Sequence, residues 1–455
     1  MASRRRSFRN VPPAVLTDAR PDGEPALVVR RAPFADNPHV GARGQRTQQR
    51  ILDAALEAFG EGYERCSIDA ITQRAGCSRA AFYQYFSSKE DIFRHLTGQV
   101  ALQLAASTEA LEPLRPDEAG WRSLRAWVSR QSDIQRRYEP LFHAVQEASK
   151  SDHAVATGSA RWGVRIISRI RSRLVSTSLR PREIDPLIMQ LLECVTRTFD
   201  IARILRSAGA EQYLEDRVVD ALTDVFHRSL FGLQAGVNVH LPPPQRPPDV
   251  HFDRPSADAF TRVEPLRELT PAGRRTREAL MEAGRKVFVE RGYHRARISD
   301  VVETAGMSRG AFYRYFEDKD RLARTLATRA MQTVAVVLAE IPDPTSDGGA
   351  SGRTALRRWL RRYNLTQADQ AAMLRVWVDA ALQDASMRAD SAPPLDWGRR
   401  VLASFLEPRG FGDVDTEGLV MLALLASFGA RERAPAEVDA AAHIVEQGLL
   451  GRSRR

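Results

Sequence analysis

The chain has 455 residues, with 67 Lys plus Arg against 57 Asp plus Glu, a formal net charge of +10, 43% hydrophobic and 27% charged residues. That balance is ordinary for a globular protein and excludes wholesale disorder, a collagen-like chain and a coiled-coil rod. The cation surplus points to a polyanionic partner such as nucleic acid, and residues 1–45 (net +4) and 274–326 (net +5) hold nine of the ten excess charges.

Residues 1–44 are rich in Pro, Gly and Arg without helical periodicity, and are expected to form a basic disordered arm. Arg4–Arg6 precede polar, proline-containing sequence rather than an apolar core, so no secretory signal is expected. Helical spacing begins with Ile51, Ala54, Ala55, Ala58 and Phe59 and closes at a Gly62-Tyr63 turn. A short helix follows, with Ile68 and Ile71 facing inward, Ser67 at its start and Ala75-Gly76 at its end, where glycine supplies a positive φ. Ser78 caps a third helix. Phe82 and Phe86, four apart, share its inner face, while Ala80, Ala81 and Gln84 turn outward between Tyr83 and Tyr85. Small side chains on an exposed helix let its backbone approach another surface. That geometry suits a recognition helix in a DNA major groove, with Tyr hydroxyls and Lys89 on phosphates.

Amphipathic stretches continue at 97–112, 119–150, 160–179, 183–207 and 211–231. Residues 236–270 carry seven prolines and read as a semi-rigid linker, after which Thr270 and Pro271 look like the cap and first residue of a new helix. The chain then repeats itself. Leu280, Ala283, Gly284, Val287 and Phe288 follow helical spacing, and residues 297–320 match residues 67–90 at 11 of 24 positions, all at an offset of 230. Downstream, Leu124 and Trp127 match Leu356 and Trp359 at an offset of 232, and Trp162-Gly163 matches Trp397-Gly398 at 235. Further helical stretches run at 321–340, 353–385, 396–407, 415–430 and 435–450, and no alternating run suggests a sheet. The expected class is all-α.

Three cysteines make no disulfide framework and suggest a reducing compartment. The most apolar stretch, Gly418 to Ala430, is too short to span a bilayer, so a soluble cytoplasmic protein with no membrane contact is expected. No nucleophile–base grouping or metal-ligand spacing appears, which argues against an enzyme, a metal site or a cofactor. The GGASG run at 348–352 follows no strand and reads as a loop rather than a phosphate cradle.

The strings GCSRAAFYQYFSSKE (76–90) and GMSRGAFYRYFEDKD (306–320) resemble the turn and recognition helix of the TetR family of bacterial transcriptional repressors. The resemblance covers both halves. It implies DNA-binding units at 45–98 and 271–327, each followed by a helical ligand-binding and dimerisation domain, 99–235 and 328–451. It implies DNA contact for Ser78, Arg79, Ala80, Ala81, Tyr83, Gln84, Tyr85 and Lys89, and for Ser308, Arg309, Gly310, Ala311, Tyr313, Arg314, Tyr315 and Lys319. Ser67 and its counterpart Arg297 join these sets. Arg297 cannot accept amide hydrogens as a cap, so that helix end is expected to fray or to meet phosphate. The first copy has one residue fewer than the second between its Phe and the Tyr of the turn.

Arg314 replaces Gln84, and since Gln favours adenine and Arg guanine, two related but unequal half-sites in double-stranded DNA are expected. In the downstream domains Trp121, Trp127, Tyr138, Phe142, His143 and Trp162, then Trp359, Tyr363, Met373, Trp377 and Trp397, stand on helical faces. By resemblance, Trp127, Tyr138, Phe142, Trp162, Trp359, Tyr363, Trp377 and Trp397 are candidates to line the site of a small, partly apolar effector. The helices at 183–231 and 415–450 resemble the family's dimerisation pair, and are expected to form an intramolecular pseudo-dimer or a homodimer. A competing reading is a helical small-molecule-binding or scaffold protein with vestigial DNA-binding units, which the near-neutral first unit, with seven basic and seven acidic residues over 46–96, fits in part.

Overall fold

A computed structural model describes residues 41–63, 65–149, 153–210, 212–234, 236–237, 269–342, 350–383, 385–430 and 433–452. Most of the expected arm and of the proline-rich linker, and the first residues of the GGASG run, lie outside them. The described residues are helical, with no strand; a single isolated bridge joins Leu114 and Leu174. No helix among them is long and apolar enough to cross a membrane.

The chain divides into two compact units, the first holding its described residues up to Leu111 together with Arg130–Arg169. It contains α1 (Ala42–Phe59), α2 (Ile68–Ala75), α3 (Arg79–Tyr85) and α4 (Lys89–Glu109), with parts of α5 (Glu118–Ala148) and α6 (His153–Arg173). Phe59, Phe82, Phe86 and Phe93 fill its core, joined by Ile51, Ile71, Tyr138 and Leu141. Helix α5 is kinked at Tyr138 (φ −113°, ψ 21°), two residues before Pro140. Proline lacks the amide hydrogen and its ring crowds the carbonyl one turn back, which breaks the ladder there.

The second unit holds Glu112–Ser129 and the described residues from Ile170 onward. Helices α7 (Pro181–Ser207) and α8 (Glu215–Phe231) close the first half of the sequence. The second half opens with α9 (Pro271–Arg295), α10 (Ile298–Ala305), α11 (Arg309–Tyr313) and α12 (Lys319–Ala339). It continues through α13 (Ala350–Gln383), α14 (Ala385–Leu406), α15 (Val414–Ala426) and α16 (Pro435–His443), then a π-helical turn at Ile444–Leu449. Thr270 caps α9 by accepting from the Gly273 amide, with Pro271 at the first helical position.

Helices α7 and α8 pack against α14, α15, α16 and the π-turn, so the two halves meet within one chain. Helix α15 is buried on every side from Thr416 to Leu425, as a helix apolar all round must be. A Cβ on Gly418 would stand 2.9 Å from the Ala403 amide nitrogen and 3.0 Å from the Arg399 carbonyl, so glycine lets α14 and α15 cross at backbone distance.

Charge is buried where the halves meet. Arg228 of α8 pairs with Glu417 of α15, and both are wholly inaccessible; Arg409 also donates to Glu417, at 2.7 Å. Arg433 pairs with Glu193 at 2.5 Å and Arg217 with Asp413 at 2.6 Å, while His443 Nε2 donates to the Ser229 carbonyl at 2.7 Å.

Asp224 stands beside Arg228, Glu417 and Asp220 and accepts from Trp121 Nε1 at 2.7 Å; burial raises its carboxyl from 3.8 to about 6. Between about pH 4 and 6 the folded chain therefore holds this proton more tightly than the unfolded chain, and its contribution to stability falls as pH rises through that window. Asp224→Asn keeps the acceptor and removes the titration. Urea midpoints should show it gaining on the parent by roughly 2 kcal/mol from pH 4 to pH 7.5; parallel curves would refute the assignment.

Candidate nucleic-acid interface and ligand cavity

Each half carries the same three-helix head. In the first, Ser67 and Ser78 cap α2 and α3 by accepting from the Ala70 and Ala81 amides, and Gly76 turns the chain at φ 59°. In the second, Ser308 caps α11 through the Ala311 amide and Gly306 turns at φ 64°. The Arg297 end does not fray in the way its lack of an acceptor suggested. Its backbone N–H donates to Asp300 at 2.9 Å, Arg291 pairs with Asp300 at 2.9 Å, and the Asp300 amide, whose counterpart Ser67 answers in the first copy, donates to the Arg297 carbonyl at 3.0 Å.

The outer face of both α3 and α11 is small and open. Ala80, Gln84, Gly310 and Arg314 are exposed, Ala81 and Ala311 half-buried. Tyr83 (43% exposed) and Tyr313 (56%) stand at the flank, each ring edge-on to the phenylalanine before it at 5.6 Å.

Two pairs sit differently from the expectation. Tyr85 is only 5% exposed, because three residues after Phe82 it falls on the core face rather than the flank; Tyr315 is half-buried against the corresponding core. Lys89 and Lys319 turn back into the protein. Each ammonium donates to the carbonyl of the turn tyrosine, Tyr63 or Tyr293, at 3.0 Å and lies over that ring at 4.4 and 4.3 Å. They tie the fourth helix of each head to the turn after its first.

The heads differ in charge. Arg79 lies against Asp69 with both carboxylate oxygens at 2.5 Å, an exposed pair of small net worth. In the second head Ser299 replaces Asp69, and among the described residues no carboxylate pairs with Arg309.

The aromatic candidates fall into two groups. Tyr363, Trp377 and Trp397 line one cavity of about 160 Å³ in the second half. Trp359 stands behind Tyr363, ring centroids 5.3 Å apart, with its indole N–H on the Val337 carbonyl at 2.7 Å. The first-half candidates do not converge. Tyr138 lines a cavity of about 330 Å³ with Gln103, whose amide donates to its hydroxyl at 2.8 Å. Phe142 packs on the first core, Trp162 lies half-buried beside Arg165, and Trp127 is buried in the other unit.

Sequence reasoning missed one wall of the second-half cavity: Arg197, Asp200, Ile201 and Ile204, from α7 of the first half. Their three- and four-residue spacing marks a single helix face, but nothing in it says that the face covers the other half. Burial raises the Cys66 thiol to about 11 and the Cys194 thiol to about 12, and all three cysteines are free, so neither buried thiol is a ready nucleophile. Among the described residues no group of three or more His, Cys, Asp or Glu stands close enough to hold a metal ion.

The family profile described as bacterial regulatory proteins, tetR family, matches residues 51–96 and again residues 280–326. The HTH-type transcriptional repressor Rv1474c of Mycobacterium tuberculosis is 36% identical over 157 residues, covering 32% of this chain and 80% of that protein. The HTH-type transcriptional repressor AcnR of Corynebacterium glutamicum is 29% identical over 133 residues, 27% of this chain and 69% of that one. A solved gamma-butyrolactone receptor (ArpA-like protein) is 20% identical, covering 38% of this chain and 98% of its own, with a TM-score of 0.29. With the profile matched in both halves and a relative 36% identical over most of its own length, the chain belongs to the TetR family of bacterial regulatory proteins.

Proposed function

We infer that this chain is a DNA-binding transcriptional regulator that carries two reading heads on one polypeptide and answers to a small molecule. The observation that carries the reading is the duplicated open face: two capped helices, each with small residues outward and a tyrosine at the flank. In this reading Ala80, Ala81, Gln84, Gly310, Ala311 and Arg314 approach base edges. Ser67, Ser78, Arg79, Tyr83, Arg297, Ser308, Arg309 and Tyr313 meet the backbone, while Tyr85, Tyr315, Lys89 and Lys319 hold the heads in shape. Pairing of the halves within one chain, rather than between chains, is supported by the buried Arg228–Glu417–Arg409 cluster that joins α8 to α15.

The test is binding to promoter fragments across a salt series. The parent should bind with a steep dependence on salt, and Arg309→Gln should flatten the slope of log affinity against log salt by about 0.9, the share of one phosphate contact. Flat, undetectable binding at low salt would overturn the regulator reading in favour of a helical ligand-binding protein.

A further inference from the structure

We propose that the second-half cavity binds an amphipathic carboxylate, an apolar body ending in an acid, and that Arg197 from the first half holds the acid. This rests on reading the chain as a regulator governed by a small molecule, and it names that molecule's chemistry. Two charged residues line the cavity, Arg197 and Asp200, both on α7. Asp200 has Arg203 at 3.6 Å, whereas Arg197 has neither a carboxylate nor a hydrogen-bond acceptor among the described residues. The buried arginines of the same bundle are all answered: Arg228 and Arg409 by Glu417, Arg399 by Asp396 and Asp415, Arg433 by Glu193 and Glu437. A half-buried guanidinium beside an apolar cavity is costly to leave without an anion.

The rest of the wall agrees. Ile201, Ile204, Leu338, Leu374, Leu422 and Trp397 make it largely apolar and suit a hydrocarbon or aromatic body. Trp377, also on the wall, has an indole N–H with no acceptor among the described residues. The Tyr363 hydroxyl accepts from Gln367 at 2.8 Å and finds no acceptor for its own proton among the described residues. Burial pushes this phenol up, so it stays a neutral donor. Donors in search of acceptors call for a ligand that brings oxygens. An acid held by α7 and by α13 touches both halves at once, so its binding is coupled to their pairing.

The experiment titrates the full chain, without DNA, against decanoate, 4-phenylbutyrate and the neutral match 1-decanol, followed by calorimetry and tryptophan fluorescence. At least one acid should bind at least about tenfold more tightly than 1-decanol, and Arg197→Gln should weaken the acid by about tenfold or more while leaving 1-decanol unchanged. Arg197→Glu should lose the acid and gain decylamine. Because Arg197 has no partner among the described residues, these variants should keep the parent's unfolding temperature. Failure of both acids to bind, equal binding of 1-decanol, or an acid affinity indifferent to Arg197 would each overturn the proposal. DNA affinity of the unliganded parent is measured alongside: its absence undoes the regulator reading, while the acid site stands or falls on the titration.

Discussion

Glu417→Gln is expected to lower the unfolding free energy of the second unit by about 3–5 kcal/mol. Glu417 is inaccessible to solvent and answers two buried guanidiniums, Arg228 and Arg409. Glutamine keeps the volume and one acceptor but strands both cations in a medium that solvates them poorly. Urea unfolding followed by tryptophan fluorescence measures the loss. The triple replacement Arg228→Met, Arg409→Met and Glu417→Leu should recover most of it, because an apolar trio needs no counter-charge. A loss below about 1 kcal/mol for Glu417→Gln would mean that water reaches the cluster and that it does not hold the halves together.

The same cluster bears on the proposed pairing of the halves within one chain. Val219-Asp220-Ala221 and Leu230 correspond to Val438-Asp439-Ala440 and Leu449, which puts Gln447 in the place of Arg228. Ile184-Asp185 corresponds to Val414-Asp415, which puts Leu187 in the place of Glu417. Two first halves brought together would bury Arg228 against leucine, whereas in two second halves Glu417 would face glutamine and keep only its own Arg409. The first leaves a buried charge unanswered and the second removes one of Glu417's two partners.

The second large effect lies in the reading helices. Arg314→Gln gives the second head the first head's residue and should change discrimination at one half-site by about 1–3 kcal/mol, roughly tenfold to a hundredfold, with the other half-site untouched. Competition binding on operators altered one half-site at a time reads this out. The variant should prefer a more symmetric operator than the parent. Equal loss on every sequence would instead mark Arg314 as a phosphate contact.

Much of each head was legible because its signals are local. Serine caps, glycines at the left-handed turn and phenylalanines four apart act within one or two turns of chain, and both copies show them. Tyr85 was misjudged by one step around the helix: three residues from Phe82 is still the core side. Lys89 and Lys319 were noticed as equivalent cations, but their partners, Tyr63 and Tyr293, lie 26 residues away and on another helix. At Arg297, whose side chain cannot cap, Asp300 answers the backbone N–H from inside the helix, a partner three residues on that the cap rule alone does not name.

By itself, then, the sequence determined the all-α class, the duplication and the two reading helices, since periodicity, capping and repetition are written residue by residue. Only the tertiary structure decided how the halves meet and where the cavity lies. An apolar helix face specifies burial but not its partner, and α15, apolar on all sides beyond its first turn, specifies no direction there. What joins the halves in the structure is the closing of Arg228 on Glu417, 189 residues apart, and the placing of Arg197 against the second-half cavity. Those are long-range matches of charge and shape, and they exist only once the chain has folded.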